Sequence, residues 1–88
     1  MNEIKTEQST RLAIIAIVVE NPDCVTQMNA LLHNYSAYIV GRMGIPYPAR
    51  NVSLISIVID APSDEISALT GKLGRLSGLT VKATYSKI

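Results

Sequence analysis

The sequence predicts an α+β sandwich with the element order β-α-β-β-α-β, and three observations predict it. Two stretches of strand length, residues 12–19 and 52–60, carry apolar β-branched side chains on both faces, the pattern of strands covered above and below. Each is followed by a stretch with helical spacing that opens at a proline, Pro22 or Pro62. A faint echo at a spacing of 40 residues sets Ile15, Ile17, Val19, Glu20 and Pro22 against Ile55, Ile57, Ile59, Asp60 and Pro62. Two such βα halves build a ferredoxin-like βαββαβ sandwich: a four-stranded antiparallel sheet with two helices on one face and the first and third strands central.

The first strand is expected over residues 11–20. Asn21-Pro22-Asp23 opens a helix: Asn21 caps it, Pro22 suits its first position and Asp23 favours its positive end. Cys24, Met28, Leu31 and Tyr35 recur at helical spacing over residues 22–34. Residues 38–47 read as an edge strand, because Gly41, Gly44 and Pro46 interrupt them. The third strand is expected over residues 52–60. In the second helix Ile66, Leu69, Leu73 and Leu76 form an apolar stripe, and Gly78 ends it in a left-handed conformation. The last strand alternates, with Leu79, Val81, Ala83 and Tyr85 against Thr80, Lys82, Thr84 and Ser86.

The central strands carry two apolar sets. The odd-numbered one (Ala13, Ile15, Ile17, Val19, Ser53, Ile55, Ile57, Ile59) is bulkier toward the strand ends and is assigned to the helices. The even-numbered one still holds six large aliphatic side chains, Leu12, Ile14, Val18, Val52, Leu54 and Val58. Burying one such side chain stabilises by roughly 1.5–3 kcal/mol, and monomers rarely leave a patch of that kind wet. A homo-oligomer that buries the open sheet face is the expectation.

Eighty-eight residues make one small domain, read here as residues 11–88 after a flexible N-terminal lead-in over residues 1–10. A net charge of +1 without a basic run gives no footing for direct nucleic-acid binding. The single cysteine, Cys24, excludes an internal disulfide and suits a reducing compartment. The polar start, with Glu3 and Glu7, is not a secretory signal, and the apolar runs are too short for a membrane helix. The expected location is cytoplasmic.

Little catalytic chemistry is available. The one histidine, His33, and Cys24 lie nine residues apart, about 13 Å along a helix axis, so they cannot share a metal within one subunit. No nucleophile–base motif surrounds either. Asp60, Asp64 and Glu65 cluster at a helix start, where capping accounts for them. Gly71-Lys72-Leu73-Gly74 lies inside the second helix instead of between a strand and a helix, which rules against a phosphate loop, and close packing is the expected reason for its glycines. Arg42, between Gly41 and Gly44 on the edge strand, is a candidate for holding a carboxylate or phosphate; an exposed charge guarding the edge is the competing reading.

Three segments together carry a family resemblance: Leu31-Leu32-His33-Asn34-Tyr35-Ser36, Gly41-Arg42-Met43-Gly44-Ile45-Pro46, and residues 68–82 around Gly71-Lys72-Leu73-Gly74. In this order they resemble the small regulators ascribed to the iron-only hydrogenase system, a family similar to ACT domains and to the C-terminal domain of nickel-responsive repressors. The resemblance implies a non-catalytic, oligomeric regulatory module. In ACT domains the effector lies near the first strand-to-helix turn, here Glu20, Asn21 and Asp23, with Arg42 and Gly44 as further candidates. No cofactor is expected. Nickel-responsive domains use several histidines and a cysteine, and this chain has one of each. The alternatives are a module that docks on a maturation enzyme and a metal sensor that uses His33 across subunits.

Overall fold

The computed structural model describes residues 9–88; the expected lead-in falls largely on residues outside that range. The elements are β1 (Arg11–Val19), α1 (Val25–Asn34), β2 (Ile39–Tyr47), β3 (Val52–Ala61), α2 (Ser63–Gly74) and β4 (Leu79–Tyr85), with a 3-10 turn Pro22–Cys24 leading into α1. All strand pairs are antiparallel and the order is β2-β3-β1-β4. The ferredoxin-like sandwich is therefore the fold. The two doubly apolar strands are central, and the glycine-broken and alternating strands are the edges.

The odd-numbered set faces the helices. Ala13, Ile15, Ile17 and Val19 of β1 and Ile57, Ile59 and Ala61 of β3 are buried against Met28 and Leu32 of α1 and Ile66, Leu69 and Leu73 of α2. Among the described residues no polar or charged side chain is buried. No helix among them is long and apolar enough to cross a membrane.

Among the described residues no helix covers the other face of the sheet. Ile14, Leu54, Val58, Met43, Ile45 and Tyr47 stand on it, from 37% exposed at Val58 to 64% at Met43. Strand β4 adds Thr80, Lys82 and Thr84 beside Val18, Ala16 and Ile14. The apolar patch thus sits off centre, toward β2.

A bulge puts it there. Ile39 pairs with Ile59, but Gly41 pairs with Val58, so Val40 is an extra residue in β2. One inserted residue exchanges the faces of everything beyond it. Arg42, opposite Ile57, falls on the helix side, and Met43, Ile45 and Tyr47 fall on the open side. Without the bulge the two groups would trade places.

Two expectations need correction. Among the described residues the glycines of α2 have no close-packing role: a Cβ at Gly71 or Gly74 would meet nothing there within 4 Å. Nor does the acidic cluster supply a side-chain cap. Pro62 occupies the N-cap position with no side-chain hydrogen bond, Asp60 belongs to β3, and only Asp64 and Glu65 lie in the first turn of α2, where the helix dipole favours them.

Candidate functional site

The β1–α1 turn is held by its own polar groups. Asn21 Oδ1 accepts from the Asp23 amide at 2.9 Å, as an N-cap should, with Pro22 at the first helical position. The amides of Glu20 and Asn21 both donate to the Gly78 carbonyl, at 2.7 and 3.3 Å. Gly78 has φ +91°, and a Cβ there would lie 2.5 Å from Asn21 Cβ. Only glycine satisfies both the left-handed backbone and the close approach. The Glu20 carboxylate accepts from Thr80 Oγ1 at 3.2 Å to each oxygen. Glu20 and Asn21 therefore fasten the turn to β4, and Asp23 stays exposed beside them.

On the other side of this turn an open concavity of about 260 Å³ lies between Pro22 and Val25 and the far end of the β2–β3 hairpin, where Pro46, Pro48, Asn51 and Ser53 line it. Its walls are stiff. Three prolines fix their backbone, and Asn51 holds a left-handed conformation (φ 56°) that closes the 3-10 turn Pro48–Arg50.

Arg42 and Gly44 lie elsewhere. The turn residues pack on β4, whereas Arg42 and Gly44 belong to β2 on the opposite edge, three strand spacings or roughly 14 Å away. The five candidate residues thus fall in two places. The Arg42 guanidinium donates through Nη2 to Asn29 Oδ1 of α1 at 3.0 Å. A Cβ at Gly44 would be 3.7 Å from Ile55 Cγ1, an ordinary contact, and one at Gly41 would meet nothing within 4 Å. Neither glycine has a positive φ, so among the described residues neither conformation nor close approach requires it.

His33 is exposed in the last turn of α1, and Cys24 is buried at the opposite end, with its Sγ donating to the Asn21 carbonyl at 3.0 Å. Among the described residues no three His, Cys, Asp or Glu side chains come together to hold a metal. The residues around Arg42 went unread in the sequence. Asn29, His33 and Ser36 recur at i, i+4 and i+7 and line one hollow with it; that polar stripe beside the apolar one was the available signal.

Comparison with known proteins places this arrangement. No curated protein matches the chain. The solved structure of TM1266, an uncharacterized protein from Thermotoga maritima, is similar at 40% sequence identity with a TM-score of 0.86, covering 90% of this chain and 100% of that one. The family model that matches residues 11–83 is TM1266-like, with the description "Iron-only hydrogenase system regulator, putative". With that model matched over most of its length, the protein belongs to the TM1266-like family.

Proposed function

We propose that the protein is a non-catalytic regulatory module that self-associates through its open sheet face and takes a small effector at the subunit boundary. The observation that carries this reading is the off-centre apolar patch of Ile14, Met43, Ile45, Leu54 and Val58. A second copy is the occupant that fits it. Among the described residues the β2–β3 half of this face carries a single charged side chain, Asp60 near the end of β3, and a two-fold axis through the patch would set each β2–β3 half against its counterpart. Lys82 and the threonines of β4 then form a polar rim. The concavity between the β1–α1 turn and the β2–β3 hairpin lies at one end of the sheet, with Val19, Pro46 and Ser53 of its lining on the helix side and Tyr47 and Val52 on the open side, and an effector there would touch both the turn and the hairpin that carries Ile45 and Tyr47. Docking of a partner along the outer edge of β2 is the weaker reading, because Pro46 and the bulge both blunt that edge.

Sedimentation of the wild-type chain at micromolar concentration should give a dimer or a higher even oligomer, and Ile45→Lys or Leu54→Lys should give a folded monomer. A wild-type monomer across that range overturns the assembly. A thermal-shift panel of amino acids and nucleotides tests the effector: a compound that raises the wild-type midpoint should lose its effect in Val25→Trp, which fills the concavity.

A further inference from the structure

A second hollow lies between the C-terminal half of α1 and the β2 edge, with Asn29, His33, Ser36 and Arg42 around it, the half-buried Ile39 in its wall and the buried Leu32 beneath it. We propose that it binds the carboxylate of a small, partly apolar acid, with Arg42 as the anchoring cation. The bulge at Val40 turns Arg42 to the helix side, and Asn29 Oδ1 steadies its guanidinium at 3.0 Å. That partner is a neutral amide and engages one of five guanidinium N–H donors. None of the six lining residues is acidic, so the charge of Arg42 is not cancelled within the hollow. His33 and Ser36 add ring N–H and hydroxyl donors around the rim. A planar carboxylate matches the guanidinium fork, and the half-buried Ile39 offers apolar surface to a short hydrocarbon tail.

A metal ion at His33 would face the fixed positive charge of Arg42. Conversely, the last turn of α1, which carries His33, presents the negative end of the helix dipole and works against an anion. Binding must therefore rest on Arg42. The hollow lies on the helix side of the sheet and does not depend on pairing of the open faces.

Amide NMR titration of the full chain with isovalerate tests this. Saturable shifts are expected within residues 29–42, with none from isovaleramide, the neutral isostere. Arg42→Gln should weaken binding about tenfold or more, the scale of losing a hydrogen bond to a charged group. Arg42→Lys should be intermediate. Asn29→Asp, which places a carboxylate against Arg42, should block the site; both positions are exposed, and each variant's own spectrum reports its fold. Absence of saturable shifts, an equal response to isovaleramide, or an unchanged titration in Arg42→Gln overturns the proposal. Saturation by inorganic phosphate but not by isovalerate overturns the choice of an apolar carboxylate. Sedimentation of the same samples reads the assembly separately, so one proposal can fail without the other.

Discussion

The two edge strands of the sheet are used differently. β4 is pinned to its neighbour at both ends. At one end Arg11 stacks over the Tyr85 ring at 4.6 Å and donates to the Ser86 carbonyl, while the Ser86 amide donates to the Leu12 carbonyl at 2.9 Å. At the other end Glu20 and Asn21 are fastened to Thr80 and Gly78. β2 instead has a bulge, two glycines that no neighbour crowds, four exposed large hydrophobic side chains and one side-chain bond to α1. The β4 edge is committed to the fold, whereas the β2 edge leaves chemically active groups over. Mutations should therefore act on stability at β4 and on association or binding at β2.

The largest expected effect is at Gly78. Its φ of +91° already costs an L-residue roughly 1–2 kcal/mol, and a Cβ 2.5 Å from that of Asn21 forces the turn to move. Gly78→Ala should lower unfolding stability by about 2 kcal/mol or more, read from urea denaturation; a loss within about 0.5 kcal/mol, ordinary for a surface position, would show that nothing is latched there. Next is association. Ile45→Lys should weaken self-association at least tenfold, about 1.4 kcal/mol, while Thr84→Lys on the β4 side of the same face should change it far less. Equal losses at the two positions would mean that the contact is centred on the sheet and not on β2.

Asn21→Ala should cost about 1 kcal/mol, the usual value of an N-cap, and Asn21→Gly only a few tenths. Smallest of all, Gly44→Ala should leave stability within about 0.5 kcal/mol of wild type, because the added methyl meets only an ordinary contact at Ile55. The same glycine-to-alanine change would thus separate the two edges by more than 1 kcal/mol in all, a difference that chemical denaturation resolves.

Much of the architecture was legible because the periodicities were clean. The runs of β1 and β3 mark central strands, the Ile66–Leu69–Leu73 stripe marks the buried face of α2, and the even-numbered set marks a second apolar sheet face beyond the one the helices cover. What stayed hidden was the parity of β2. Its Val40-Gly41-Arg42-Met43-Gly44 stretch has no alternation to read, so nothing local places the extra residue at Val40 or says which side Arg42 takes. The partnership of Asn21 with Gly78 was equally hidden, since it joins residues 57 positions apart and neither one carries a signal for the other. The glycines of α2 mislead for the opposite reason. Intrinsic propensity makes them costly by roughly 1 kcal/mol each, yet the described residues offer them no contact in return.

The position of β1 in the middle of the sheet has a kinetic consequence. Its partners come from distant parts of the chain: Ala13 lies beside Ile59 on one side and Tyr85 on the other. Such remote pairings slow the search for the native state. Until the final strand arrives, the eight residues from Leu12 to Val19 form an uncharged, β-prone ribbon with an open flank, the kind of segment on which nascent chains stick together. Arg11 and Glu20, one charge at each end, act as gatekeepers for that interval before they become fasteners for β4.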